Sequence, residues 1–157
     1  MKIKLIVVGK TNVKYLKDGE NEYEKRLKHY VKFEELVVGD VKNARNLNHQ
    51  ELKKKEGSLI LSKIENIDFV VLLDDKGKMF SSYEFSNFID QKILRTTKSL
   101  VFVVGGAFGF SDEVVKRANI KLSLSKMTFS HQMVRMIFKE QLYRAFTILK
   151  GEKYHHD

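Results

Sequence analysis

A chain of 157 residues with 29 Lys and Arg against 20 Asp and Glu carries a net charge of +9 and contains neither cysteine nor proline. The missing cysteines exclude a disulfide framework and a thiolate metal site, and the five histidines lack ligand spacing, so no metal is expected. Such a length suits one core that buries roughly 70% of the unfolded surface, and the positive charge favours a polyanionic partner such as nucleic acid.

The chain opens on MKIKLIVVGK. Its apolar stretch of about six residues is too short for a signal peptide core or a membrane span, so a cytoplasmic protein with no membrane partner is expected. IKLIVVG (3–9) reads as a buried strand, and Tyr15, Tyr23, Leu27 and Tyr30 follow at helical spacing. FEELVVG (33–39) is the next strand, then a helix on Leu52, Ile60 and Ile64, whose ELKKKEG (51–57) reads as a solvated face. DFVVLLD (68–74) precedes a third helix on Phe85, Phe88, Ile89 and Ile93; LVFVVGG (100–106) and a weaker IKLSLS (120–125) complete the strands. Strands apolar throughout, alternating with helices, predict an α/β fold with a mostly parallel sheet covered by helices on both faces. No linker or repeat divides it, so residues 1–157 form one domain.

The last helix is expected from about Ser130 to Lys150. Val134, Ile137, Phe138, Leu142, Ala145, Ile148 and Leu149 share one stripe, while Met133, Met136 and Tyr143 fall opposite. A second apolar cluster calls for a second burial surface, and a homodimer interface is the expectation, against apolar residues scattered singly on the surface.

Three strand-end loops converge where open α/β sheets bind ligands. In VVGGAFGFSDE, Gly105 and Gly106 let main chain approach a ligand, and Ser111 caps a helix. The spacing is G-G-x-x-G, and Asp112 and Glu113 in the first helical turn oppose a phosphate there. An uncharged or zwitterionic ligand fits better, and a tight turn with no ligand stays open. In LSLSKMTFSHQMVR (122–135), main chain of Ser125 to Phe129 can ring an adenine or ribose, and Ser130 is the expected cap. LLDDKGK (72–78) is the third loop. His131 and Arg135, four apart, share a helix face, and Arg135 is a candidate for a phosphate or a cofactor carboxylate. After the helix, the short tail carries Tyr154, His155 and His156.

At these residues the chain resembles the SPOUT methyltransferases, and within them the ribosomal RNA large-subunit methyltransferase H family, which methylates N3 of a pseudouridine. The resemblance covers nearly the whole chain and rests on KIKLIVVGK, EYEKRL (22–27), GKMFSS (77–82), FVVGGAFG (102–109), LSLSKMTFSHQMVR, EQLYRAF (140–146) and the terminal YHH. It implies a C-terminal trefoil knot, a homodimer, and S-adenosylmethionine as cofactor. The implied cofactor contacts are Leu73, Gly105 and Gly106, with Gly106 the most direct, and Ser125, Lys126, Met127, Thr128, Phe129 and Ser130. Two positions depart from the family: Ser130 stands where proline is usual, followed by His131 and Gln132, and His156 where a basic residue is common.

The implied chemistry needs the N3 proton removed and the developing charge stabilised. His155, offered by a partner subunit, is the candidate base, Arg135 the candidate for charge, and Tyr154 a further catalytic candidate. The implied substrate is the assembled ribosome or its large-subunit RNA, because a small domain without an added RNA-binding module needs the shape of a larger surface. The alternatives are a related enzyme acting on another RNA and a non-catalytic ribosome-associated factor. A nicotinamide-dependent reductase lacks its acidic ribose clamp around Ser123 to Met127.

Overall fold

The computed structural model describes residues 1–156. Five strands, β1 (Lys2–Val8), β2 (Lys32–Val38), β3 (Phe69–Met79), β4 (Ser99–Val104) and β5 (Ile120–Ser123), form one sheet in the order β2-β1-β4-β3-β5. Every pairing among them is parallel. The intervening helices are α1 (Lys14–Leu27), α2 (His49–Leu61), α3 (Ser82–Leu94), α4 (Asp112–Arg117) and α5 (Met133–Leu149).

Side chains alternate across each strand and so divide the core in two. Ile3, Leu5 and Val7 pack with Leu27, Phe85, Phe138 and Leu142, which places α1, α3 and α5 on one face. Ile6 and Val8 pack with Ile60 and Val114, which places α2 and α4 on the other. Local signals start the helices: Asn48 accepts from the Glu51 amide, Ser111 from Val114, and Ser81 forms a reciprocal capping box with Glu84.

Four expectations are corrected. The segment 72–78 does not stay outside the sheet as a loop. β3 runs on to Met79 and pairs with β5 twice, Leu73 and Lys78 both opposite Leu122, with an irregularity between them. Regular helical bonding in α5 begins at Met133, although Ser130 still caps the approach, its Oγ accepting from the Met133 amide. The ELKKKEG run is not wholly solvated, since Glu56 and Gly57 are buried.

The fourth correction concerns the second apolar cluster of α5, which its own chain covers at Met136 and Tyr143 but leaves exposed at Met133. Met136 lies against Gly19 of α1, and Tyr143 packs against Tyr23, Tyr30 and Tyr154. Only Met133 of the cluster is therefore left for a second burial surface. What the apolar pattern missed is that two charged residues of α5, Arg135 and Lys139, are fully buried within it.

Candidate active site at the strand ends

A cavity of about 460 Å³ opens at the carboxyl ends of β4 and β5, beside the middle of β3. Leu73, Asp74 and Asp75 form one wall; Val104 to Ala107, Gly109 and Phe110 form the second; Leu122, Leu124, Ser125, Met127 to His131 and Val134 close it. Of the residues expected to hold a cofactor, Leu73, Gly105, Gly106, Ser125, Met127, Thr128, Phe129 and Ser130 line this cavity, and Lys126 does not.

The glycine turn is shaped by its own main chain. Gly109 has φ +87°, a left-handed conformation that a side chain would strain, and its amide donates to the Gly106 carbonyl at 3.2 Å. Phe108 faces away from the cavity and stacks on His49 with ring centroids 3.7 Å apart, bracing the turn from outside. The 122–130 loop is held by short polar contacts. Ser123 Oγ donates to the Ser125 carbonyl at 2.8 Å, Ser125 Oγ accepts from the Met127 amide at 2.9 Å, and Thr128 Oγ1 reaches Asp75 across the cavity at 3.4 Å.

Charge at the site is mainly acidic. Asp74 and Asp75 line it, and Asp112 and Glu113 occupy the first turn of α4, where they disfavour a phosphate. Glu56 lies immediately behind Gly106: a Cβ on residue 106 would stand 2.6 and 2.7 Å from its carboxyl oxygens. Sequence reasoning missed Glu56 because a glutamate inside a lysine run reads as surface. The one signal was its position just before Gly57, where α2 closes onto Ser111. Asp74 and Asp75 were inside the quoted loop, but a polar loop alone does not say which of its residues face a ligand. His131, at the rim, is pushed below the usual histidine value by desolvation and then by Arg135, with Asp40 opposing.

Arg135 does not reach the cavity. Its guanidinium donates to the carbonyls of Val8 at 2.7 Å, Gly9 at 2.8 Å and His131 at 3.1 Å, and to Thr11 Oγ1 at 3.2 Å. These bonds tie the start of α5 to the end of β1, so the expected contact of Arg135 with a phosphate or carboxylate is not made within one chain. Burial is also the largest influence on its pKa and pushes it down.

The tail is folded back on α5 and lies apart from the cavity. Tyr154 OH donates to Glu140 Oε1 at 2.9 Å, which with burial raises its pKa. His155 Nδ1 is 3.0 Å from an Arg144 nitrogen, and its ring meets Tyr83 edge to face. Neither Tyr154 nor His155 lines the cavity of its own chain. Among the described residues no cluster of His, Cys, Asp and Glu is arranged to hold a metal ion, and no helix is long and apolar enough to cross a membrane.

Comparison with known proteins matches this arrangement. Residues 1–155 match the family described as "Predicted SPOUT methyltransferase". A protein of Christiangramia forsetii named "Ribosomal RNA large subunit methyltransferase H" is 57% identical over 156 residues, covering 99% of each chain. One of the same name from Parabacteroides distasonis is 55% identical over the full length of both. A solved structure of a probable methylase family protein from Haemophilus influenzae superposes with a TM-score of 0.55 at 10% identity, over 97% of this chain and 67% of that one, and shows the shared fold. The chain thus belongs to the SPOUT methyltransferase family, as a homologue of the ribosomal RNA large subunit methyltransferase H proteins.

Proposed function

We propose that this protein is an S-adenosylmethionine-dependent methyltransferase that modifies N3 of a pseudouridine in large-subunit ribosomal RNA on the assembled ribosome, as a cytoplasmic homodimer. The observation that carries the reading is the cavity itself, walled by main chain and carboxylates with no phosphate cradle. Its volume suits a cofactor-sized ligand. S-adenosylmethionine supplies a methyl group on a positively charged sulfonium, and the acidic wall of Asp74 and Asp75 suits that charge. The substrate follows from the names of the relatives and from the net charge of +9, which suits an RNA surface.

Ser125 to Ser130 and the glycine turn would hold the adenosine portion through main-chain donors and acceptors, and Leu73 its apolar edge. Lys126, outside the wall, would contribute main chain only. Because the tail lies away from its own chain's cavity, a second protomer is needed to bring His155 to the acceptor nitrogen. We assign His155 of the partner subunit the removal of the N3 proton and Tyr154 its placement. Arg135 is a positioning residue that holds His131 and the cavity wall against β1. Membership of the SPOUT family supports a trefoil knot in the C-terminal half.

Transfer of labelled methyl groups to ribosomes from a strain lacking the gene, with the nucleoside identified by mass spectrometry, tests the whole assignment. Label confined to one N3-methylpseudouridine is expected. Label on another nucleotide would move the substrate, and no label despite cofactor binding would leave a ribosome-associated factor. His155→Ala should reduce turnover about 10²-fold or more, the usual worth of a general base, with cofactor affinity within about twofold. Unchanged turnover would remove His155 from the chemistry.

A further inference from the structure

Glu56 is a buried acid that nothing in the fold explains. It is 8% exposed, its Oε1 has no hydrogen-bond partner, and both oxygens press on Gly106, a residue of the cavity wall. A glycine at 106 is what admits the carboxyl, because any side chain there would overlap it.

Among the described residues no cation pairs with it. From the segment after β2, Asp40 faces it and repels; beyond Asp40 stand His131 and Arg135, whose charges act on Asp40's side. From α4, the neighbour of α2 at this point is the uncharged Ser111. Burial, and secondarily Asp40, hold the carboxyl above its ordinary range. Desolvation and an acidic neighbour both favour the protonated form of a carboxyl, and a positive charge brought close favours the ionised one. The cavity beyond Gly106 is where, on the function proposed above, a sulfonium comes and a neutral thioether is left.

We propose that Glu56 is a proton-linked charge sensor of the cofactor site: its buried, unpartnered carboxyl binds protons more readily in the free protein than when the cationic cofactor lies against Gly106, so binding releases protons to solvent. It takes a proton back when the methyl group has gone and the ligand has lost its sulfonium charge. Binding therefore favours the cofactor over its product, and the bias grows as pH rises. The inference rests on the cavity being an S-adenosylmethionine site.

Calorimetry of the full chain with S-adenosylmethionine and with S-adenosylhomocysteine, from about pH 5.5 to 8 in buffers of different ionisation enthalpy, tests it. One-proton linkage sets a ceiling of about tenfold in affinity per pH unit. S-adenosylmethionine is expected to bind several-fold tighter per unit across the range in which Glu56 ionises, to level off above it and to release up to about one proton, while S-adenosylhomocysteine stays flat. Glu56→Gln should bind with no pH slope and no proton release. Asp40→Asn, at an exposed position, should move the slope to lower pH with Glu56 intact, which keeps the test decisive if Glu56→Gln fails to fold.

Binding without proton release, or a slope that survives Glu56→Gln and so belongs to His131, would overturn the proposal. Failure of the unaltered protein to bind either ligand at any pH would instead overturn the cofactor assignment, and this inference with it.

Discussion

Lys139→Met is expected to remove about 3 to 5 kcal/mol of folding stability, the cost of breaking a buried ion pair from one side. With a urea dependence near 2 kcal/mol per molar, that is a midpoint lower by about 2 M. Lys139 is 0% exposed, and its Nζ donates to Glu20 and Glu24 of α1, both at 2.7 Å, and to Glu35 of β2 at 2.5 Å. Burial alone would lower the lysine's pKa, but the Glu35 charge and the three hydrogen bonds outweigh it and raise it. A raised folded value means this stabilisation is complete below the unfolded lysine pKa and is lost only as pH climbs through the higher folded one. Across neutral pH it is constant.

In Lys139→Met the ammonium is gone and Glu20, also 0% exposed with Oε2 already unpartnered, is left with its charge uncompensated. The deficit should therefore shrink as the variant is acidified and its orphaned carboxylates take protons. The effect reaches the cavity, because α1 clamps the helix whose start, at Val134, and whose approach, at Ser130 and His131, line it. A loss under about 1 kcal/mol would show that the three carboxylates find water in the folded state.

The same residue shows what was legible in the sequence. Strand runs, helix caps and the glycine turn were readable because each depends on neighbours within a few positions, and the parallel order follows from their alternation. Lys139 and Arg135 were not, since a stripe drawn through apolar residues passes over a buried charge. Apart from the His131 carbonyl, their partners lie more than a hundred positions away along the chain, from Val8 to Glu35. In the second apolar cluster of α5, Met136 and Tyr143 find their cover within the chain while Met133 stays exposed, because periodicity groups residues on a face and does not say what covers each. The site was legible where loops follow strands, and the acid behind its wall, Glu56, was not, since the packing of α2 on the glycine turn is what brings it against Gly106.

Gly77→Ala is the second change with a large expected effect, in the stretch where β3 was expected to have ended. A Cβ at 77 would stand 2.7 Å from the Leu122 amide nitrogen, 2.7 Å from the Lys121 carbonyl carbon and 2.8 Å from the Leu122 carbonyl carbon. All three are main chain of β5, which is paired to β3 on both sides of this point, so the overlap cannot be relieved by turning a side chain. Alanine would ordinarily gain about 0.4 to 1 kcal/mol by restricting the unfolded chain; overpacking typically costs 1 to 3 kcal/mol and wins where backbone must move. A net loss of about 1 to 2 kcal/mol follows.

The larger consequence is positional. β5 leads directly into Leu124 to Ser130, so a strand pushed outward carries one cavity wall with it. Displacements of this order at a site are worth up to about 10²-fold, and S-adenosylmethionine affinity should fall at least tenfold by calorimetry. Gly39→Ala is the matched control: nothing lies within 4 Å of its added carbon and its φ is unstrained, so it should equal or exceed the parent in stability and bind normally. If Gly77→Ala behaves like Gly39→Ala, the stretch between Leu73 and Lys78 can lift away from β5, and the close crossing of the two strands does not hold the cavity in shape.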